Sequence, residues 1–243
     1  MGKRSVRKSA RSKGRIHALF PEDDRQQTGG KESWDKRYVK NIRPKSAGQQ
    51  SLIEALDEEG VVLALGPAGT GKTFLAVAKA VEALENGRLE RIVLCRPAVD
   101  AGESLGFLPG DFEAKLAPYL RPIYDVLSER LGAKRLKALL AEDVIEIAPV
   151  AFMRGRTLNN AFVVIDEAQN CTFAQLKMLL TRLGWRTTMV LAGDPDQSDL
   201  LPGMSGLPDV AERLSRIDNI PVVSLNEEDI VRHPLVAGML SVL

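Results

Sequence analysis

Six short runs of this chain are almost wholly apolar: residues 61–65, 91–95, 144–147, 162–166, 188–192 and 221–224. Nearly continuous runs of that length are expected of strands buried on both faces of a parallel sheet. Between them the apolar spacing turns helical, over residues 74–85, 112–131, 134–141, 173–183 and 209–214, and a further helix is predicted over 47–58. The alternation predicts a doubly wound α/β domain: a mainly parallel sheet between two helical layers. Residues 1–40 break the pattern. They are polar and aperiodic apart from Trp34 and Tyr38, and the Gly29-Gly30 pair reads as linker. The division expected is therefore an arm over 1–40 and one domain over 41–243.

The 243 residues suffice for one large α/β core or two small ones. No apolar run approaches the roughly 20 residues that span a bilayer. The basic start Met1-Gly2-Lys3-Arg4 has no apolar stretch behind it, so neither a secretory signal nor a membrane partner is expected, and the cytoplasm is the expected location. Cys95 and Cys171 are isolated in apolar surroundings and read as buried free thiols, a disulfide being the other possibility. His17 and His233 are too far apart in sequence to suggest a metal site.

Charge changes the picture only at the beginning. The net charge is +1, yet Lys3, Arg4, Arg7, Lys8, Arg11, Lys13 and Arg15 precede the first acidic residue, Glu22. Such a block predicts disorder. It fits an arm that grips nucleic-acid phosphates, and equally a solubilising tail.

The first predicted strand runs into Gly66-Pro67-Ala68-Gly69-Thr70-Gly71-Lys72-Thr73, and a helix pattern follows. Strand, glycine-rich loop and helix in that order are what phosphate binding requires, although a tight turn that binds nothing has the same composition. Loop N–H groups and the positive helix end would cradle the phosphates of ATP. Lys72 would neutralise terminal phosphate charge, and the Thr73 hydroxyl would hold Mg²⁺.

Three further strand ends carry polar sequences. Asp166-Glu167 follows an apolar strand: Asp166 is placed to anchor Mg²⁺ and Glu167 to orient or deprotonate an attacking water, unless the pair merely opens a helix. Gly193-Asp194-Pro195-Asp196-Gln197 brings Asp194 and Gln197 to the same edge, though it is also a good turn sequence. Arg96 belongs to the phosphate edge or a nucleic-acid path, or else pairs within its own loop with Asp100 or Glu103. Near the end, Arg232 is a candidate to stabilise charge on a transferring phosphoryl group, as arginine fingers do in trans.

Together these segments resemble the PhoH family of ATPases from about Ile42 to Val236. The resemblance rests on Pro44-Lys45-Ser46-Ala47-Gly48-Gln49, the loop at 66–73, and Arg96-Pro97-Ala98-Val99-Asp100-Ala101-Gly102-Glu103. It continues through Leu105-Gly106-Phe107-Leu108-Pro109-Gly110-Asp111, Tyr119-Leu120-Arg121-Pro122 and Ala151-Phe152-Met153-Arg154-Gly155-Arg156-Thr157-Leu158. Asp166-Glu167-Ala168-Gln169-Asn170 and Val231-Arg232-His233-Pro234-Leu235-Val236 complete it. It implies a RecA-like P-loop NTPase core related to the N-terminal ATPase half of superfamily-one helicases. It also implies that Gln49 contacts adenine, that Asp166 and Glu167 form the metal and water site, and that Gln197 senses the γ-phosphate. Arg96, Arg154 and Arg156 become candidates for coupling to RNA or to a neighbouring subunit. One local departure is the extra leucine in Asp199-Leu200-Leu201-Pro202.

The expected function is ATP hydrolysis coupled to RNA or single-stranded nucleic acid. An ATP-gated assembly protein that remodels no nucleic acid is the second reading. A small-molecule kinase ranks lower, since no arginine-rich lid follows the loop. Because the chain stops soon after Val236, without room for a second RecA-like half, a homo-oligomeric ring such as a hexamer is expected, with Arg232 or another arginine reaching a neighbour's site.

Overall fold

The computed structural model describes residues 42–58, 60–97 and 112–231. The basic arm at 1–40, the segment 98–111 with Asp100 and Glu103, and residues 232–243 with Arg232 lie outside the described residues.

Six helices and six strands follow one another: α1 (Ala47–Ala55), β1 (Gly60–Leu65), α2 (Lys72–Glu85), β2 (Arg91–Arg96), α3 (Phe112–Leu131), α4 (Ala133–Ala141), β3 (Ile145–Pro149), β4 (Ala161–Ile165), α5 (Phe173–Leu180), β5 (Thr188–Gly193), α6 (Leu207–Leu214) and β6 (Val222–Ser224). The strands form one sheet in the order β3-β2-β4-β5-β1-β6, and every pairing is parallel. Side chains alternate across it. Val62, Ala64, Ile92, Leu94, Phe162 and Val164 pack under α1 to α4. Val61, Leu63, Val93, Val163, Ile165 and Leu191 pack against α5 and α6. With both faces covered, each strand reads as continuously apolar. This is the three-layer, RecA-like P-loop fold.

Two helices end earlier than their periodicity suggests. The helix predicted over 47–58 stops at Ala55, because Asp57-Glu58 would put negative charge on a helix C-terminus and Asp57 instead pairs with the buried Lys79 of α2 at 2.6 Å. The helix predicted over 173–183 stops at Leu180, where the chain turns and Leu183 makes a parallel bridge to Leu158.

Register sets the functional rim. Leu65 pairs with Gly193, Leu191 with Ile165, and Ile165 with Cys95. The residues that follow, Gly66, Arg96, Asp166 and Asp194, therefore leave the sheet side by side at its C-terminal edge, where open α/β sheets bind ligands. Two bonds extend the ladder past the strands: the Asp166 N–H donates to the Cys95 carbonyl at 2.8 Å, and the Gly66 N–H to the Gly193 carbonyl at 3.2 Å. Among the described residues no helix is long and apolar enough to cross a membrane.

Candidate functional site

The loop from β1 to α2 is held open for an anion. At Gly66 (φ 135°) the backbone passes so close to Leu225 that a Cβ would collide with its carbonyl oxygen. Gly71 (φ 88°) precedes α2 and gives it no side-chain cap, which leaves the first-turn N–H groups facing the loop without an acceptor from that position. Neighbouring elements brace the loop. From α1, the Gln49 amide donates to the Thr70 carbonyl at 3.0 Å and accepts the Lys45 N–H at 2.9 Å. From the far end of the chain, the Val231 N–H donates to the Gly69 carbonyl at 3.0 Å. Inside the loop, the Lys72 ammonium donates to the carbonyls of Gly66 at 2.5 Å and Pro67 at 2.8 Å. Burial pulls the Lys72 pKa below its ordinary value, while Asp194, Glu167 and Asp166 oppose that shift.

Across the rim, the Thr73 hydroxyl donates to Asp166 Oδ1 at 2.6 Å. Asp166 is buried at 3% exposure. Burial raises its carboxyl above the ordinary value, with the Thr73 hydrogen bond and the Arg96 charge acting against the rise. Glu167 adopts the left-handed conformation, φ 52° and ψ 43°, unusual for a residue with a side chain. One of its oxygens accepts from Arg96 at 3.0 Å and the other from Gln169 at 2.6 Å. Arg96 also stands 3.7 Å from Asp166 Oδ2.

A pair of amides then ties the acid strand to the Asp194–Asp199 segment. Gln169 Oε1 accepts the Asp194 N–H at 3.1 Å, and its carbonyl accepts the Ser198 hydroxyl at 3.1 Å. Asn170 donates to the Asp199 carboxylate at 2.7 Å and accepts the Asp199 N–H at 2.9 Å. The Asp194-Pro195-Asp196-Gln197 segment is indeed a turn, closed by the Gln197 N–H on the Asp194 carbonyl at 3.2 Å, and it carries Gln197 to the rim as well.

These groups enclose a cavity of about 530 Å³. Of the residues singled out in the sequence, Gln49, Ala68, Gly69, Gly71, Lys72, Thr73, Asp166, Glu167 and Gln197 line it, while Gly66, Pro67 and Thr70 shape the loop behind. Arg43, Phe74, Asp194 and Val231 also border the cavity. Asp194 was expected at this edge; sequence reasoning did not assign Arg43, Phe74 or Val231 to it, nor the amide pair Gln169-Asn170. The adjacent amides after two carboxylates were the available signal for that pair, since buried amides need backbone partners. Arg156, expected to couple to RNA or a neighbour, instead holds Glu146 of β3 with both its terminal nitrogens, at 2.7 and 2.6 Å. Arg154 is exposed.

The donor set suits a magnesium–triphosphate ligand. It offers a cationic side chain, uncapped helix N–H groups, and one hydroxyl beside one carboxylate. Mg²⁺ typically takes one or two protein oxygens and completes its shell from water and substrate phosphates. Among the described residues there is no group of three or more His, Cys, Asp or Glu that could hold a metal ion. Cys95 and Cys171 are buried free thiols outside this chemistry, and burial raises the Cys171 thiol to about 12.

Comparison with known proteins bears on this geometry. The family model described as PhoH-like protein matches residues 41–243. A PhoH-like protein of Bacillus subtilis is 54% identical over 202 residues, which cover 83% of this chain and 63% of that protein. The PhoH-like protein of Mycobacterium tuberculosis strain H37Rv is 51% identical, covering 83% of this chain and 57% of its own length. Protein PhoH of Escherichia coli K12 is 46% identical over 204 residues, with coverages of 83% and 58%. The chain thus spans about three-fifths of the length of the curated relatives it matches. Among solved structures, a Sulfolobus solfataricus SWI2/SNF2 ATPase core in complex with dsDNA aligns over 79% of this chain and 49% of that one, at 18% identity and a TM-score of 0.44. With the family model matching residues 41–243, and 54% identity to the Bacillus subtilis protein over 202 residues, this chain belongs to the PhoH-like protein family.

Proposed function

We propose that this chain binds ATP as its magnesium complex and hydrolyses it to ADP and phosphate, with turnover coupled to RNA or single-stranded nucleic acid. The observation that carries the reading is the Thr73–Asp166 hydrogen bond at 2.6 Å, which sets a hydroxyl and a carboxylate between the Lys72 loop and Glu167. Lys72 leaves the carbonyls of its own loop and donates to the terminal phosphates, and the first-turn N–H groups of α2 take the remaining charge. Thr73 and Asp166 hold Mg²⁺, which when bound neutralises charge on the β- and γ-phosphates. Glu167 accepts a proton from water as the water oxygen bonds to the γ-phosphorus and the bond from that phosphorus to the β–γ bridging oxygen breaks. Gln197, on a turn tied to the acid strand through Gln169, hydrogen-bonds the γ-phosphate and registers its departure. Gln49, at the end of the cavity nearest α1, contacts the adenine.

ATP turnover by the purified chain, with and without single-stranded RNA at low salt, tests this reading. Stimulation that fades as salt rises is expected of phosphate-backbone contacts. Turnover indifferent to RNA at every salt concentration favours the second reading, an ATP-gated assembly protein. As for assembly, the reading is a ring in which Arg232 acts on a neighbour's site, and full turnover by a dilute monomer overturns it.

A further inference from the structure

Both oxygens of the Glu167 carboxylate are engaged in this conformation. Its backbone is fixed in the left-handed region, and each carboxylate oxygen has a partner: Arg96 at 3.0 Å on one and Gln169 at 2.6 Å on the other. The two partners differ in kind. Gln169 is buried and committed, since its oxygen also holds the Asp194 N–H at 3.1 Å. Arg96 stands at the C-terminal end of β2 with its side chain 19% exposed. Among the described residues that line the nucleotide cavity, Arg96 is absent, while Glu167 is present. The guanidinium thus lies beside the cavity at the end of β2, part-exposed and paired with the carboxylates of both Glu167 and Asp166. A charge-assisted Arg–carboxylate bond fixes the direction of the carboxylate as well as its neighbours. Guanidinium also pairs with phosphate in the same forked geometry, so a phosphodiester backbone competes for the same donors.

We propose that Arg96 is a positioning residue that restrains Glu167: it holds one oxygen of the carboxylate until the phosphodiester backbone of a single-stranded nucleic acid, arriving at the end of β2, takes the guanidinium and releases it. This rests on the hydrolytic reading of the site and supplies its coupling step. Coupling then runs through transfer of the guanidinium from the acid pair to the incoming phosphate, and the acid strand itself stays in place.

The test compares wild type, Arg96→Met, Arg96→Lys, Glu167→Gln and the double variant Arg96→Met/Glu167→Gln, each with and without poly(U). Arg96→Met is expected to raise kcat in the absence of RNA by about two- to fivefold, the range of a part-exposed ion pair, with KM for ATP unchanged. Its stimulation by poly(U) is expected to shrink toward none. Arg96→Lys, which keeps a cation beside the carboxylate, is expected to retain a low basal rate and most of the stimulation. The double variant is expected to be as slow as Glu167→Gln alone, because the gain runs through that carboxylate. A folded Arg96→Met protein no faster than wild type overturns the restraint, as does a double variant that keeps the gain. Wild type indifferent to poly(U), or Arg96→Met stimulated by the full wild-type factor, removes the phosphodiester trigger. If Arg96→Met does not fold, as judged by thermal unfolding, Arg96→Gln answers the same questions. A wild-type chain that binds a fluorescent ATP analogue yet hydrolyses no ATP in any condition sinks the hydrolytic reading itself. Wild-type turnover with no gain in Arg96→Met sinks only the restraint.

Discussion

Asp166 shows how one carboxyl group is suited to a ligand at a cost to the free chain. Its folded pKa lies above the ordinary value because it is buried, even though Thr73 and Arg96 favour its ionised form. The unfolded chain thus holds the charge more cheaply, so ionised Asp166 destabilises the fold. That penalty is absent below the ordinary carboxylate value of about 3.9 and grows as pH rises through the folded value. Asp166→Asn, which keeps an acceptor for Thr73, is therefore expected to raise the Tm of the nucleotide-free chain at neutral pH by about 2–4 °C, the usual return of roughly 1 kcal/mol when a functional site is neutralised. The gain should fade as pH falls toward about 4. Thermal melts of the two proteins across that range decide it, and a variant less stable at every pH contradicts the argument. Glu167 is a different case, with its side chain 38% exposed. Glu167→Gln should bind ATP with little change and lose turnover about 10²–10⁴-fold, the contribution of a positioned base. Normal hydrolysis by that variant removes Glu167 from its role. Arg96 stands at the phosphate edge, one of the two readings its loop offered: register sets it beside Glu167, 71 positions away, while Asp100 and Glu103 lie outside the described residues. Only the sheet order makes that neighbour visible.

At the scale of elements, the strands were legible because burial on both faces removes polar alternation, and the P-loop because it must follow one of them. Helix ends were less so. Where α1 and α5 stop is decided by Lys79 reaching Asp57 and by Leu183 bridging to Leu158, contacts made by residues remote in sequence. The Gln169-Asn170 link to Asp194–Asp199 was hidden for the same reason, since its hydrogen bonds span 25 and 29 residues. The β1–α2 unit has its own vulnerability at Gly66, where φ is 135° and the Leu225 carbonyl occupies the space a Cβ needs. Gly66→Ala combines a disfavoured backbone with a collision against main chain rather than a movable side chain. A loss of about 3 kcal/mol is expected in denaturant unfolding. A loss below about 1 kcal/mol would mean that β6 and its following turn yield easily.

For the molecule as a whole, the sheet order β2-β4-β5-β1 lines up the four strand ends that carry the polar sequences, although those sequences are spread over more than half of the chain. A ligand that bridges them should stabilise the entire fold. Magnesium–ATP at about 100 times its Kd is expected to add ~2.7 kcal/mol, or about 5–10 °C in Tm for a domain of this size. Lys72→Ala should abolish the shift, and a shift that survives in that variant places the ligand elsewhere. The two backbone bonds that continue the ladder beyond the strands, Asp166 to Cys95 and Gly66 to Gly193, carry a consequence for timing. Those amide protons belong to the sheet, so they reach solvent only when the sheet opens, on the timescale of global unfolding. The Gln197 N–H closes an exposed turn and exchanges far sooner. The site therefore has a stiff half at the strand ends and a half that opens sooner, and under the proposed function the departure of a γ-phosphate is relayed through the second.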